Sequence, residues 1–415
     1  MATHIHELRS IILRQLIANG SVTRPELVSM TQCRAASVHQ IVDELKSEGL
    51  VCEPVRTSKR TGRKAPPLTL DPDYAWHVGI DFQTERTIGV LVDTSGAVRH
   101  RVLLPASDRS EVSACRGDIQ KVVGELRAQA GGMWSKVCGI GFADPGIVDA
   151  QTETSVRAVN IAGWANLATG AWLRETYGMP AGIWPECSVK TFMEYRQRIQ
   201  SHVGSLFLLE LGDGVGGGFI KNGQCFSGDN NLAMEIGHVV MDSAGPMCQC
   251  GNRGCLEALV GKVGIRRKVS EAIRSGAETV LDLEHFTLSE FTRCAEGDKV
   301  IQVIANDVCR HIGRALAIVV TLLNPSVIVL CGELTGLGDM LMDSVRMALS
   351  LNCFPGSVKN LKVEFSTLEA DETARGAAIL MRDKLLLQDS GTSPNAANGR
   401  GGSPAQAGLA AASAM

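Results

Sequence analysis

The chain has 415 residues, of which 45% are hydrophobic and 20% charged; this excludes a fibrous or wholly disordered protein and allows two or three globular domains. The net charge of -3 conceals an asymmetry, because residues 1–70 carry ten Lys and Arg against six Asp and Glu, which leaves -7 on the remainder. A basic end on an acidic body indicates a polyanionic partner for that end.

Cysteine usage and hydropathy indicate the compartment. The 13 cysteines are an odd number, and the N-terminus has the pattern of an amphipathic helix rather than a secretory signal, which predicts reduced thiols in the cytoplasm. The most apolar run, residues 315–323, is far too short to span a bilayer and is followed by Asn324-Pro325. We therefore predict a cytoplasmic protein with no membrane partner.

Helices dominate the first 48 residues. Apolar residues at helical spacing predict a helix over residues 5–17. Thr23 then has the pattern of a helix N-cap, with Pro25 just inside the start and Glu26 three residues after the cap. These residues predict a second helix over about residues 24–30.

A third helix, over about residues 34–48, follows a short turn. Two short helices joined by a tight turn, the second polar near its start, are typical of a helix-turn-helix that places its second helix in the DNA major groove. The predicted buried stripe of this third helix is Val38, Ile41, Val42 and Leu45. The candidate DNA contacts on its opposite face are Arg34, Ser37, His39 and Gln40.

Two short predicted strands, residues 50–55 and 67–70, enclose a basic segment. Residues 56–64 contain five cations and no acid, which is typical of a wing that lies on DNA phosphates, with Arg60, Arg63 and Lys64 as its candidate contacts. The alternative is a small helical oligomerisation module with a solvated basic loop. The order of three helices and a wing favours a winged helix-turn-helix DNA-binding domain over residues 1–72.

The remainder of the chain has the pattern of a duplicated α/β fold. The first half predicts three strands within residues 75–106, a helix over about 111–130 and an apolar strand over 137–142. The second half predicts a strand over 206–211, a glycine-rich loop over 212–218, a strand at 219–220, a hairpin turn at 221–223 and a buried strand over 326–330. Two such halves predict a two-lobed body over residues 73–387 with a ligand cleft between the lobes. Composition predicts a disordered tail over 388–415.

The densest cluster of metal-binding residues lies in residues 238–255, which we call the metal loop. His238, Cys248, Cys250 and Cys255 have the residue types and spacing of a tetrahedral structural zinc site, with glycines that allow the last cysteine to return to the ion. The alternative is three unrelated buried thiols and a core histidine. Glu235 and Glu257 flank the ligands, which suggests that the metal shapes a pocket for a polar molecule.

Together these motifs resemble those of the ROK family. The resemblance rests on the winged helix, on residues 144–149 (Asp-Pro-Gly-Ile-Val-Asp), on the glycine run 212–218 and on the cysteine loop 248–257. It implies an α/β fold with a duplicated, actin-like (ribonuclease H-like, hexokinase-type) body. The family comprises sugar kinases and sugar-responsive repressors, and the N-terminal module resembles the repressor branch.

The resemblance also implies a set of sugar contacts. Asn160, ahead of Gly163-Trp164, resembles the family residue that bonds sugar hydroxyls, and Glu235, His238 and Glu257 match the remaining hydroxyl-binding positions. His238 would then present one ring nitrogen to zinc and the other to the sugar.

The kinase motifs of the family are altered in three places. At the first phosphate loop, where the family has Asp-x-Gly-Gly-Thr, residues 81–85 read Asp-Phe-Gln-Thr-Glu, so both glycines are missing and a carboxylate replaces the threonine. Glu186 stands at the position of the family's general-base Asp, and its extra methylene displaces the carboxylate by about 1 Å, enough to cost roughly a hundredfold in rate. The family's second phosphate loop is matched by residues 212–218, whereas the later Gly-Gly has become Cys331-Gly332.

The sequence therefore predicts a regulator rather than an enzyme. We expect a repressor, a homodimer or homotetramer, that binds a palindromic double-stranded operator and responds to a sugar or sugar derivative near Asn160, Glu186, Glu235, His238 and Glu257. One alternative is an ATP-dependent hexose or N-acetylhexosamine kinase that retains a DNA-binding domain. Another is a regulator whose effector is a protein, with the cleft vestigial.

Overall fold

The computed structural model describes residues 2–54, 66–158, 161–199, 203–229 and 232–388. They form two compact units, one of residues 2–69 with 383–388 and one of residues 70–382. None of the helices in these ranges combines the length and apolar character that crossing a bilayer requires. Several predicted features lie outside the described residues: the wing residues Arg60, Arg63 and Lys64, the sugar contact Asn160 and the tail beyond Gln388.

The first unit contains three helices and a small sheet. Its elements are α1 (Ala2–Asn19), β1 (Val22–Thr23), α2 (Arg24–Thr31), α3 (Ala35–Ser47), β2 (Val51–Cys52) and β3 (Pro67–Leu70). The strands are hydrogen-bonded in the order β1-β3-β2. The predicted stripe of α3 is buried, and the helices and sheet have the predicted winged helix-turn-helix arrangement.

Local chemistry explains where α2 begins and ends. The Thr23 side chain caps the helix, and Glu26 returns the contact by accepting a hydrogen bond from the Thr23 backbone N–H at 2.8 Å. Gln32 then adopts a left-handed conformation (φ 53°) that ends the helix and begins the turn into α3. The predicted capped start is confirmed, whereas strand β1 was not predicted, because two residues are too few to show an alternating pattern.

The second unit begins with the first lobe of the body. Its elements are β4 (Trp76–Phe82), β5 (Arg86–Asp93), β6 (Val98–Pro105), α4 (Val112–Ala130), β7 (Val137–Asp144), β8 (Ile147–Asp149), β9 (Thr154–Arg157), β10 (Ala165–Leu167), α5 (Thr169–Tyr177), β11 (Ala181–Pro185) and α6 (Glu186–Gln197). The main sheet has the order β11-β7-β4-β5-β6, in which β4, β5 and β6 are antiparallel neighbours and β7 and β11 run parallel to β4. Strands β8, β9 and β10 form a small separate sheet.

The second lobe repeats this plan. Its elements are β12 (Ser205–Leu211), β13 (Val215–Lys221), β14 (Gln224–Cys225), α7 (Leu256–Val260), α8 (Lys262–Arg274), α9 (Leu288–Cys294), α10 (Lys299–Leu323), β15 (Val327–Cys331), α11 (Gly338–Asn352), α12 (Pro355–Val358), β16 (Lys362–Phe365) and α13 (Glu372–Gln388). The sheet has the order β14-β13-β12-β15-β16, again three antiparallel strands followed by two parallel ones. The predicted duplicated α/β body is confirmed.

The glycine run is the one element whose predicted form was wrong. Residues 212–218 were predicted to be a loop and residues 219–220 a strand, but strand β13 already begins at Val215. Helix α6 lies directly against this strand. A Cβ atom on Gly216 would come within 2.3 Å of the Cys187 sulfur, and one on Gly218 within 1.9 Å of the Thr191 hydroxyl oxygen. Glycine is required here by close packing, a signal that the sequence pattern alone could not separate from a phosphate loop.

Candidate functional site

The cleft lies at the carboxyl ends of parallel strands in both lobes. In the first lobe Pro185 at the end of β11 pairs with Asp144 at the end of β7. In the second lobe the parallel strands β12 and β15 end at Leu211 and Cys331. The segments that follow these strands line a cleft of about 1050 Å³. Open α/β sheets bind ligands at this edge.

The four predicted metal ligands converge beside this cleft. One ligand atom from each of His238, Cys248, Cys250 and Cys255 lies within 4.8 Å of the other three. Nδ1 of His238 is 3.7 Å from the Cys248 sulfur, and the sulfurs of Cys250 and Cys255 are 3.6 Å apart. Three thiols and an imidazole at these separations can hold a metal ion.

Local backbone geometry builds the metal loop. Gly251 (φ 99°) and Gly254 (φ 65°) adopt conformations that other residues rarely take, and they turn the chain on either side of Asn252. A Cβ atom on Gly254 would lie 1.5 Å from the Asp242 carbonyl oxygen, so the loop closes on itself at this point. The loop then leads into α7, which begins directly after Cys255.

Glu235 and Glu257 lie at the edges of the metal loop and line the cleft together with His238. Burial raises the pKa of Glu235, and the negative charge of Glu257 adds to the effect while His238 opposes it. The Glu257 carboxylate accepts a hydrogen bond from the Val215 backbone N–H at 3.0 Å. Two carboxylates and an imidazole fixed in this way offer several hydrogen-bond acceptors to a ligand that carries hydroxyl groups.

A second charged cluster lies in the cleft at the start of α6. The Lys190 ammonium contacts Glu186 at 2.6 Å and also contacts Glu210 of β12. The Glu210 carboxylate accepts a further hydrogen bond from the Cys187 thiol at 3.1 Å. Glu186 therefore lines the cleft as predicted, but its carboxylate is bound to a lysine that the sequence analysis did not select.

The altered first phosphate loop is held by hydrogen bonds between its own side chains. Asp81 at the end of β4 is fully buried and accepts a hydrogen bond from the Gln83 amide at 2.6 Å. Arg86 donates to the Gln83 side-chain oxygen at 2.7 Å. The exposed carboxylate of Glu85 lines the cleft. Side chains therefore occupy the space where a glycine loop would present backbone N–H groups to a phosphate.

The second phosphate loop, residues 212–214, also carries negative charge. Asp213 forms an ion pair with Lys262 at 3.1 Å. A Cβ atom on Gly212 would lie 2.8 Å from a carboxylate oxygen of Glu333, so this second acid lies against the loop backbone. The glycines are retained, but the surroundings of the loop are acidic.

Asp144 anchors the small sheet at the cleft edge. Its buried carboxylate accepts hydrogen bonds from the Ser155 hydroxyl, from the Trp164 indole N–H at 2.9 Å and from the Gly146 backbone N–H at 2.9 Å. Burial raises the pKa of Asp144 and these three hydrogen bonds oppose the shift. The motif at residues 144–149 thus fixes the segments that flank residues 159 and 160.

The candidate DNA-contacting face of α3 is accessible. Arg34 stands at the N-cap position without a capping side-chain hydrogen bond, and the side chains of Arg34, Ser37, His39 and Gln40 are all exposed. An ion pair at 2.6 Å between Arg24 of α2 and Asp43 of α3 braces the two helices of the motif. The Gln40 side chain donates a hydrogen bond at 3.0 Å to Glu44, one helical turn further along. Because this contact is exposed, Gln40 could give it up to contact DNA.

Comparison with known proteins agrees with this architecture. The family model described as ROK family matches residues 77–384, about three quarters of the chain. The chain belongs to the ROK family. A xylose repressor from Caldicellulosiruptor bescii is 23% identical over 385 residues, which cover 91% of this chain and 95% of the repressor.

Other ROK proteins differ in how much of the chain they match. A crystal structure of a ROK family transcriptional regulator, described as a homolog of the E. coli MLC protein, matches 93% of this chain and 98% of its own with a TM-score of 0.78 at 22% identity. A glucokinase from Halalkalibacterium halodurans is 25% identical over 316 residues, which cover 74% of this chain and 96% of the kinase. The regulator structure therefore shares the fold over nearly the whole chain.

Two residues of this ROK cleft, Lys190 and Glu210, were missed by the sequence analysis. Glu210 lies in the strand predicted over residues 206–211, whereas the helix that carries Lys190 was not predicted. Lys190 follows Glu186 by one helical turn, a spacing that indicates an ion pair. The contact between α6 and β12 that brings in Glu210 depends on the tertiary fold.

Proposed function

We propose that this protein is a DNA-binding transcriptional regulator of the ROK family, most simply a repressor, that responds to a sugar or sugar derivative bound in the cleft. The observation that carries the proposal is the exposed polar face of α3, on a unit that precedes the ROK match beginning at residue 77. Relatives named as repressors match more than nine tenths of the chain.

The DNA-binding residues would divide into two groups. Arg34, Ser37, His39 and Gln40 would contact base edges or phosphates from α3 in the major groove, and Arg60, Arg63 and Lys64 would contact phosphates or the minor groove. A homodimer or homotetramer would bind a palindromic operator whose half-site spacing matches the separation of its DNA-binding units.

Self-association is supported by an apolar surface on α10 and α11. The two helices pack together, and the Cys353 thiol reaches the Ala317 carbonyl oxygen at 3.7 Å. Around this contact lie the exposed hydrophobic residues Ile318, Leu322, Met347, Leu351 and Phe354. Exposed apolar residues grouped in this way are typical of a protein–protein contact.

The effector would bind beside the metal loop. Asn160, Glu186, Glu235, His238 and Glu257 would hold the hydroxyl groups of a sugar. Closure of the lobes around the ligand would favour one arrangement of the body, and operator affinity would change by the free energy that couples the two sites.

We assign the metal as structural Zn²⁺, held by His238, Cys248, Cys250 and Cys255. A tetrahedral zinc ion with Zn–S bonds of about 2.3 Å places two sulfurs about 3.8 Å apart, close to the 3.6 Å between the Cys250 and Cys255 sulfurs. Four protein ligands complete the coordination, so the ion would shape the cleft without binding water. Zinc bound by three thiolates requires reduced cysteines, which supports the proposed cytoplasmic location.

We further propose that phosphoryl transfer has been lost. Glu85, Asp213 and Glu333 place carboxylates around both phosphate loops, and Glu186 is bound to Lys190. The alternative, a sugar kinase with a DNA-binding domain, is favoured by the likeness to a glucokinase over 96% of that enzyme.

Selection from a random duplex library tests the proposal directly. Zinc-loaded protein at physiological salt is expected to select a palindromic motif, and a screen of sugars against that duplex is expected to find one that changes its affinity. Retention that is sequence-blind and only salt-sensitive would contradict the regulator, as would ATP-dependent phosphorylation of a hexose at a useful rate. A selected motif with no sugar response would leave the protein-effector alternative.

A further inference from the structure

Lys190 lies at the junction of the two lobes, surrounded by acidic groups from three elements. Its ammonium contacts Glu186, one helical turn earlier on α6, and Glu210 on β12 of the second lobe. Asp81, at the end of β4 in the first lobe, belongs to the same electrostatic cluster. The lysine side chain is only 16% exposed.

The cluster holds more negative than positive charge. Burial alone would lower the pKa of Lys190, but Glu186 and Glu210 outweigh it and raise that pKa well above its ordinary value, so the lysine stays charged. Burial and the neighbouring acids raise the pKa of Glu186 to about 8 and that of Asp81 to about 6. At a pKa of about 8 the Glu186 carboxyl is mostly protonated at neutral pH. Asp81 and Glu210 then carry two negative charges against one ammonium, and this excess attracts further positive charge.

An oxygen atom of Asp81 gives further evidence of this excess of negative charge. Asp81 is fully buried, and within the described part of the chain its Oδ1 atom has no hydrogen-bond partner, although Oδ2 accepts from Gln83. A buried carboxylate oxygen without a partner is costly, and a nearby cation reduces that cost. Lys190 supplies a cation that acts electrostatically on Asp81 while it contacts Glu186 and Glu210.

Phosphoryl transfer in a fold of this kind requires a divalent cation on oxygen ligands to neutralise the phosphates. The residues present do not fit that ion, because the Lys190 ammonium already contacts Glu186 and Glu210, two carboxylates that line this end of the cleft. A second cation would also lie against the ammonium charge. Without a bridging metal, the exposed carboxylate of Glu85 repels a phosphate chain.

We infer that Lys190 is a tethered cation that takes the place of a divalent ion and closes this end of the cleft to metal–nucleotide complexes. The inference deepens the proposed function, on which it rests for the role of the cleft as a ligand sensor. It explains how the cleft stays folded around clustered acids without a metal. It also predicts that the acidic ligands of a metal site are retained beneath the lysine.

Manganese binding to the zinc-loaded full-length chain tests this inference. Free Mn²⁺ is measured by electron paramagnetic resonance during titration of the wild type, of Lys190→Met and of Lys190→Arg. Lys190→Met removes the charge at similar volume and is expected to bind Mn²⁺ at least about tenfold more tightly than the wild type. Lys190→Arg keeps the charge and is expected to bind like the wild type.

Lys268→Met is the matched control. It removes a similarly buried lysine that pairs at 2.6 Å with Asp307, a carboxylate that does not line the cleft and that keeps Arg310 as a partner. We expect no gain of Mn²⁺ affinity in this variant. An equal gain in both lysine variants, or none in folded Lys190→Met, would overturn the inference.

A measurement on the wild type serves if Lys190→Met does not fold. Titration with Mn²⁺ in the presence of ADP is expected to show no site that depends on the nucleotide, and such a site would contradict the inference. Failure here is distinct from failure of the proposed function, because operator selection and sugar response are measured without Mn²⁺ or nucleotide. A variant that gains Mn²⁺ in a chain that selects no DNA motif would uphold the tethered cation and reject the regulator.

Discussion

Nδ1 of His238 lies 3.7 Å from the Cys248 sulfur, and the same histidine lines the cleft between the two lobes. The metal cluster and the ligand site therefore share a side chain. A change in metal occupancy would alter the position of a group that faces the ligand, so the two sites are expected to respond together.

The first prediction concerns Cys250, the most exposed of the four ligands. Cys250→Ser is expected to lose zinc, to unfold at a temperature several degrees lower and to bind the effector more weakly, because a serine hydroxyl is a poor zinc ligand at neutral pH. Metal analysis and thermal unfolding measure the first two effects. Cys353→Ser, remote from the cluster, is the control and should keep its zinc; full zinc content in Cys250→Ser would remove the metal assignment.

The second prediction separates effector binding from DNA binding. Glu235→Gln keeps the shape of the side chain but replaces a charged hydrogen-bond acceptor. We expect it to weaken the binding of the effector by about 1.5–3 kcal/mol, roughly 10- to 150-fold in affinity. Operator affinity without effector should be unchanged. Calorimetry measures the first quantity and a DNA-binding assay the second. The control is Glu333→Gln, which changes a cleft acid that lies against Gly212, and this variant should bind the sugar normally.

Interactions between residues that are close in the sequence could be predicted, whereas those between distant segments could not. The capping of α2 by Thr23 and Glu26 and the convergence of the four metal ligands depend on residues within about 20 positions of each other, and both were predicted. The Lys190 contact with Glu210 depends on α6 lying against β12, which no spacing rule shows. The glycines of β13 were misread for the same reason, since Cys187 and Thr191 approach them from another element.

The third prediction tests base recognition by α3. Gln40→Ala is expected to weaken binding to the selected operator by about 1–3 kcal/mol. It is also expected to relax the base preference at one position of each half-site. Competition binding against operators with single substitutions measures both effects. Lys46→Ala, near the other end of α3 and paired with Glu53, is the control. A uniform loss over all sequences would mean that Gln40 does not read a base.

The fourth prediction concerns the basic segment before β3. Arg63→Ala is expected to weaken binding by a similar factor on all sequences and to reduce the slope of log affinity against log salt by about 1, as for the loss of one phosphate contact. Affinities at several salt concentrations give the slope. An unchanged slope would show that Arg63 does not contact a DNA phosphate.

The fifth prediction concerns acid stability and His77. Burial lowers the pKa of His77 to about 3, so the unfolded chain takes up a proton below pH 6.5 while the folded chain does not. Its contribution to stability is fully present above pH 6.5 and declines as the pH falls toward 3, by at most about 1.4 kcal/mol per pH unit. Denaturant unfolding measures the free energy of unfolding at each pH from 7 to 4. This free energy should decline less steeply with falling pH in His77→Gln than in the wild type.

His285 is exposed and is a control for this experiment, because its pKa is shifted in the opposite direction to that of His77. A hydrogen bond to Asp282 raises the pKa of His285, so its small contribution is present at low pH and lost as the pH rises. His285→Gln should not flatten the decline between pH 7 and 4. Parallel curves for the wild type and His77→Gln would show that other groups govern the acid sensitivity.

The packing of β13 against α6 has a consequence for how such chains are classified. Gly216 and Gly218 have no room for a side chain because of their own neighbours, whether or not a phosphate ever approaches them. Natural selection for a folded body would keep these glycines in a descendant that had stopped using nucleotides. A glycine signature of this kind therefore records ancestry, and the charged residues Glu85, Lys190 and Asp213 are the better guide to present chemistry.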